Sequence, residues 1–309
     1  MNLNTNIRVL FARLLFCIAF CCAFDQVVAE DLQTLSNCKL IKTEWSDGDS
    51  FLVELEDGQQ ITVRLYGVDC VEYHVTDTTD ARRLRTQRRY FGIAGYGGNA
   101  QSSIAVAKQF GADAKTYIER ELEQPFSVST TFADARGDGK YKRYYAFITT
   151  SDGADLGEQL VRDGLARAFG VNRTTPDGKS RDEQKASLQD LELQAAKKGV
   201  GVWAATDWES LPIERRRERV EEAELELATD NQPLSADEKI DPNSAPRDEL
   251  MRLPGIGEVL ANRIIENRPY RTIEEVGRVE GIGASKLKKI LPALELPTTQ
   301  SIDAKKQGE

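Results

Sequence analysis

With 309 residues, 40% of them hydrophobic and only 10 of them proline, the chain can hold two modest domains. Its formal net charge of -9 argues against a protein that coats nucleic acid by bulk attraction, so a polyanion would have to be bound through local patches or a metal ion. Residues 1–29 carry the pattern of a signal peptide: Arg8 and Arg13 precede an apolar run from Leu14 to Phe24, and Val27-Val28-Ala29 offers a small-residue cleavage site before Glu30. That run is shorter than the roughly 20 apolar residues of a membrane span. No other segment is apolar enough, so the expectation is an exported protein, secreted or periplasmic, monomeric and without stable membrane insertion after cleavage. Cleavage would remove Cys17, Cys21 and Cys22. Cys38 and Cys70 would then remain in a compartment that permits a disulfide between them, with two separate thiols as the alternative.

The next informative stretch is a hairpin. Phe51, Val53 and Leu55 alternate with Leu52, Glu54 and Glu56, and Ile61, Val63 and Leu65 alternate with Thr62, Arg64 and Tyr66, the period of two expected of half-buried strands. Asp57-Gly58 between them is a strong turn signal. Folding the chain there sets Asp49 roughly opposite Tyr66, with Asp69 and Glu72 just past the same open end. Hard cations such as Ca2+ take carboxylate and carbonyl oxygens, so Asp49, Asp69 and the backbone carbonyl of Cys70 form a candidate metal-ligand set. The planar fork of Arg64 suits two phosphate oxygens, and Glu72 is placed to deprotonate an attacking water. The same residues also fit solvated loop acids with one surface salt bridge.

DGDS, VRLYGVDCVE (residues 63 to 72), Tyr141-Lys142-Arg143 leading into Tyr145-Ala146-Phe147, and LGEQLVRDGLARAFG (residues 156 to 170) together resemble the staphylococcal nuclease (thermonuclease) family in order and spacing. The resemblance runs from about residue 38 to Trp208. It implies that Asp49 and Asp69 are metal ligands, Glu72 the general base, and Arg64 and Arg143 the phosphate-binding arginines. It further implies an α+β fold, a five-stranded OB-fold-like β-barrel with packed helices over residues 31–208, and Ca2+-dependent cleavage of DNA and/or RNA leaving 3'-phosphates. Three departures stand out. Val71 replaces the family's usual proline, Lys142 replaces a glycine, and the connection from Tyr73 to Gln109 is much longer than usual.

That insertion, residues 73–109, predicts a helix from about Thr79 to Phe91, ended by Gly92 and followed by a flexible segment with Gly95, Gly97 and Gly98. Arg82, Arg85 and Arg89 share one helical face and are candidate nucleic-acid contacts, or else a solvated surface. His74, the only histidine, reads as a polar loop residue rather than a second base. GYGG lacks the Lys-Ser/Thr of a P-loop. Asp134 to Gly139 mimics the start of an EF-hand, but Tyr145 stands where the bidentate glutamate would be.

Residues 209–239 turn from Arg215, Arg216, Arg217 and Arg219 to Glu221, Glu222, Glu224 and Glu226, the pattern of a partly helical, solvated linker. Beyond it a repeat appears. Leu253-Pro254-Gly255-Ile256-Gly257 recurs as Val279-Glu280-Gly281-Ile282-Gly283, and Ala261, Ile264 and Ile265 recur as Leu287, Ile290 and Leu291, at a constant offset of 26 residues. Thr272 and Glu275 predict a capping box. IDPNSA, LPGIG and VEGIG resemble the tandem helix-hairpin-helix module of bacterial competence (DNA-uptake) proteins over residues 240–296, a small all-α C-terminal domain, with 297–309 a disordered tail. Glycine turns ahead of helix N-termini suit backbone phosphates, which makes Gly255, Gly257, Gly281, Gly283 and Lys286 candidate DNA contacts. Two functions follow: an exported nuclease whose C-terminal module holds DNA without reading its sequence, or a catalytically inactive adaptor for nucleic-acid binding or DNA uptake.

Overall fold

The computed structural model describes residues 32–135, 142–229 and 238–296. The expected signal peptide, most of the EF-hand-like stretch and the tail lie outside them. Seven strands occur among the described residues: β1 (Gln33–Ile41), β2 (Ser50–Glu54), β3 (Gln60–Leu65), β4 (Val68–Cys70), β5 (Phe126–Asp134), β6 (Tyr144–Thr149) and β7 (Ala166–Ala168). Five of them close a barrel in the order β1-β2-β3-β6-β5, and β4 pairs with β7 as a separate two-stranded sheet. The alternation in the hairpin explains its register. Phe51 faces Val63 and Val53 faces Ile61, and all four side chains enter the barrel core with Val128, Ala146 and Ile148. Gly58 takes the left-handed φ of 85° that closes the hairpin, and the Asp57 side chain accepts the Gln59 N–H at 2.9 Å.

The helices are α1 (Thr78–Tyr90), α2 (Ala100–Glu121), α3 (Leu156–Arg162), α4 (Arg181–Lys198), α5 (Leu211–Thr229), α6 (Arg247–Leu250), α7 (Glu258–Glu266) and α8 (Ala284–Ile290). α1 falls within one residue of its predicted bounds. Asp77 caps it by accepting the Thr79 and Asp80 N–H groups, and Gly92, at φ 66°, turns the chain away. α2 sends Ala114 and Ile118 into the barrel core. Gly111 lets it pass close to the loop after β4, since a Cβ there would lie 2.3 Å from the Val71 carbonyl oxygen.

Two expectations need correction. Residues 211–229 are a continuous helix docked on α1, not a solvated linker: Arg89 pairs with Glu218 and Glu221, Thr86 donates to Glu218, and Arg215 donates to the Tyr90 carbonyl. Arg215, Glu218 and Glu221 are thus partners of a helix far away in sequence, whereas Arg216, Arg217, Arg219 and Glu224 are exposed, as the solvated reading expected. The capping box at Thr272 does not form either. Thr272 makes no side-chain cap, Glu275 accepts the Arg271 N–H instead, and Ile273–Arg278 is a 3-10 helix.

The repeat is present in the backbone itself. Gly255 and Gly281 both take left-handed φ, 72° and 94°, while Gly257 and Gly283 are extended and open α7 and α8. The helical module is not held apart from the barrel domain: Tyr66, Tyr145, Phe147 and Val171 share one apolar cluster with Ile240, Leu250, Ile256 and Ile264. The result is an α+β molecule, a five-stranded barrel with packed helices followed by a small helical region, as the resemblance implied.

Candidate active site

The hairpin register sets Ser50 opposite Arg64, and the Leu65 N–H donates to the Asp49 carbonyl at 2.8 Å, so Asp49 lies opposite Leu65, one residue short of the expected position. Past the open end, β4 brings in Asp69. Asp49, Arg64, Asp69 and Glu72 are all buried and form one cluster of charges. Arg64 lies between the two aspartates, with Nη1 at 3.0 Å from Asp49 Oδ1 and Nη2 at 3.2 Å from Asp69 Oδ1. Asp49 also accepts the Cys70 N–H at 2.9 Å and the Ser50 hydroxyl at 3.1 Å.

Three further side chains complete the cluster, and none was singled out from the sequence. β7 pairs with β4 so that Arg167 stands opposite Asp69, and its Nε donates to Asp69 Oδ2 at 2.8 Å. Its guanidinium is sandwiched against the rings of Phe169 and Tyr90, 4.2 and 5.0 Å from their centroids. α1 supplies the other two, Arg83 and Gln87, spaced i and i+4 on one face. Arg83 Nη1 pairs with Glu72 Oε1 at 3.0 Å, while its Nη2 is buried with no hydrogen-bond partner among the described residues. Gln87 reaches Asp69, the Cys70 carbonyl and the Glu72 N–H.

The charges explain how each acid is poised. Burial pushes the Asp69 carboxyl up, but Arg167, Arg64 and Arg83 outweigh it and hold the group well below the usual carboxylate range. Burial pushes Glu72 up, with Asp49 and Asp69 adding to the effect and Arg83 opposing it. Asp47 is likewise raised by burial and by Asp49 and Glu72. Carboxylates and guanidiniums thus interleave: Arg64 lies between Asp49 and Asp69, Arg167 binds Asp69 and Arg83 binds Glu72.

Among the described residues no group of three acidic, histidine or cysteine side chains is placed to hold a metal ion, but the donor types at the site are those a hard cation takes. Asp49, Asp69 and the Cys70 carbonyl offer only oxygens, and a carboxylate can accept about four hydrogen bonds. Among the described residues Asp49 accepts two, from Ser50 and the Cys70 N–H, beside its ion pair with Arg64, and Asp69 accepts three, from Arg64, Arg167 and Gln87.

The remaining sequence candidates are placed as follows. Arg143 stands half-buried just before β6, two residues before Tyr145, which pairs with Arg64 across the β3–β6 ladder. The proposed basic face of α1 is turned elsewhere: Arg89 is bound by Glu218 and Glu221, Arg85 lies 3.6 Å from Glu221, and Arg82 is exposed. The face with fewer charges is the one that enters the cluster. His74 is held by the Glu44 carbonyl. Cys38 and Cys70 are buried free thiols, not a disulfide; Cys38 Sγ donates to the Leu35 carbonyl. In the helical module Lys286 Nζ donates to the Gly255 carbonyl at 2.6 Å, tying the two hairpins together. Gly255 and Gly257 are half-buried, whereas Gly281 and Gly283 are exposed.

Comparison with known proteins agrees with this geometry. Residues 62–205 match the staphylococcal nuclease homologue family, and residues 235–295 match the helix-hairpin-helix motif. Similar proteins include an uncharacterized protein of Methanocaldococcus jannaschii, 28% identical over 160 residues, covering 51% of this chain and 67% of the relative. A probable endonuclease of Arthroderma otae is 26% identical over 136 residues, 43% of this chain and 48% of the relative. The human endonuclease/exonuclease/phosphatase family domain-containing protein 1 is 37% identical over 57 residues, 17% of this chain and 10% of the relative. The chain thus spans about half of the Arthroderma relative and a tenth of the human one. With a cluster of buried charged residues at the end of a barrel hairpin and a doubled glycine-turn module after it in the chain, the chain combines a staphylococcal-nuclease-type domain with a helix-hairpin-helix domain, in that order.

Proposed function

We propose that the barrel site hydrolyses phosphodiester bonds of DNA and/or RNA, and that the helix-hairpin-helix module holds nucleic acid by its backbone without reading its sequence. The observation that carries this reading is the convergence of Asp49, Asp69, Arg64 and Glu72 in one buried cluster. Asp49, Asp69 and the Cys70 carbonyl would hold the cation, Ca2+ in this reading. When bound it would neutralise charge on the phosphate. Arg64 presents a fixed guanidinium fork to the phosphate oxygens, preorganised by its two aspartates, and stabilises the charge that builds as the bond breaks. Arg143 binds the same phosphate from just before β6. Glu72 takes the proton of the attacking water, which requires that the Arg83 guanidinium release its carboxylate or share it. The signal-like pattern of residues 1–29 supports export, secreted or periplasmic.

A second reading rests on that same ion pair. With Glu72 engaged by Arg83, the barrel would serve as a catalytically inactive adaptor for nucleic-acid binding or DNA uptake. Digestion of plasmid and of labelled oligonucleotides, with Ca2+ and with chelator, separates the two. The nuclease reading expects metal-dependent cutting that drops by roughly 100- to 10,000-fold in Glu72→Gln. Equal cutting by wild type and Glu72→Gln would remove Glu72 from the role of base, and no cutting under any metal condition would leave the adaptor.

A further inference from the structure

We propose that Gln87, on the insertion helix, is the positioning residue of the catalytic loop, an assignment that rests on the nuclease reading above. β4 ends at Cys70, whose ladder partner on β7 is Ala166. The two residues that follow, Val71 and Glu72, have no strand partner, and no proline stiffens the stretch from Val68 to Asp77. Gln87 supplies the missing rung. Its Oε1 accepts the Glu72 N–H at 2.8 Å, and its Nε2 donates to Asp69 Oδ2 at 2.9 Å and to the Cys70 carbonyl at 2.7 Å. One amide, 1% exposed, therefore fixes two candidate metal-binding oxygens and the backbone of the general base against one another.

The helix is built to hold that amide still. Leu84, buried on α1, packs with Val71, Phe91 and Trp203. On the opposite face, two residues on from Gln87 and so about 200° around the helix, Arg89 is gripped by Glu218 and Glu221 of α5. α1 is thus pinned from behind while its inner face carries the loop. A carboxamide has the right valence for this work: two N–H donors and one acceptor oxygen match a carboxylate, a carbonyl and an N–H. Charged residues of the same length would lack one half of that set. The insertion acts on chemistry through Asp69, Cys70 and Glu72 rather than by touching substrate, in the way that outer partners orient the groups they hold.

The test uses Gln87→Met, which keeps the volume and loses all three hydrogen bonds, beside Gln87→Ala. Two readouts are taken on the full chain. The first is amide hydrogen exchange at Glu72, which does not depend on activity; its N–H should exchange on the order of 10-fold faster in both variants. The second is steady-state cleavage of an oligonucleotide: kcat should fall by roughly 10- to 100-fold while KM stays within about 2-fold. A purely structural role would lower the melting temperature and leave kcat of the folded fraction intact. Wild-type kcat in Gln87→Met overturns the proposal and leaves the nuclease reading standing. An inactive wild type overturns the nuclease reading, and with it any catalytic part for Gln87. Unchanged exchange at Glu72 in Gln87→Met overturns the grip itself.

Discussion

Arg64→Ala removes the one side chain shared by both aspartates, and the structure sets how much that costs. Arg64 and Asp49 are 5% and 3% exposed, so the pair is a buried one, and stripping one partner from a buried pair costs about 3–5 kcal/mol. Asp69 retains Arg167 at 2.8 Å and Gln87 at 2.9 Å, which places the loss near the lower end, about 3 kcal/mol. Asp49 keeps only the Cys70 N–H and the Ser50 hydroxyl and bears most of it. In a chain of 309 residues that corresponds to a melting temperature lower by roughly 5 °C. Adding Asp49→Asn removes the stranded charge, so the double variant should recover about half of the loss. Thermal and urea unfolding followed by circular dichroism measure both effects. Cleavage is assayed well below the lower midpoint, so that lost activity is not lost fold. If Arg64→Ala stays within about 1 kcal/mol of wild type, or the double variant is no more stable than the single, the reading of a buried, mutually dependent pair is wrong.

Gly111→Ala should destabilise the protein by about 1–3 kcal/mol and lower cleavage, because the new methyl meets the Val71 carbonyl at 2.3 Å in the loop that carries Glu72; wild-type melting and wild-type kcat together would refute it. Arg89→Ala and Glu221→Ala should show a coupling energy of roughly 1–2 kcal/mol in a double-mutant cycle, since the pair is bidentate at 2.6 and 2.9 Å and partly buried; additive effects would mean that the α1–α5 clamp is not formed in solution. Lys288→Glu, on exposed α8, should weaken duplex binding several-fold at low salt and flatten the salt dependence, while cleavage of short oligonucleotides is unchanged. Unchanged duplex affinity would remove the module from nucleic-acid binding. A point substitution is preferable to deleting the module, which would bare Tyr66, Tyr145 and Phe147.

What could be read from the sequence followed from local periodicity. The alternation of Phe51, Val53, Ile61 and Val63 specifies a hairpin and its register, and two charged positions at its open end, Asp49 and Arg64, are thereby brought within 3.0 Å. The constant offset of the repeat likewise specifies two glycine turns with the same backbone. Helix α1 was legible as a helix but not as to which face matters. Period 3.6 groups Arg82, Arg85 and Arg89 on one side and Arg83 and Gln87 on another, and nothing local says which side meets the barrel. A charge destined for an ion pair looks the same in sequence as a solvated one, which is why α5 read as a linker. Gln87 gave no signal at all. It is neutral, and its importance comes from where the end of β4 leaves an N–H and a carbonyl unpaired.

The two hairpins of the C-terminal module, alike in sequence, are used differently, and one matched position shows how. Glu258 opens α7 and pairs with Arg247 at 2.8 Å. Burial works against its charge, yet Arg247, Arg83 and Arg167 hold its carboxyl below the usual range. The residue 26 positions later is Ala284, exposed at the start of α8. An acid at a helix N-terminus satisfies the positive end of the dipole from within the protein, whereas an alanine leaves it to whatever comes from outside. The first hairpin is tied to the barrel through Ile256 and Ile264 in the shared apolar cluster, while Glu258 is satisfied within the module by Arg247. The second hairpin, from Gly281 to Lys288, is mostly exposed, and the charge reversal at Lys288 tests whether it meets nucleic acid.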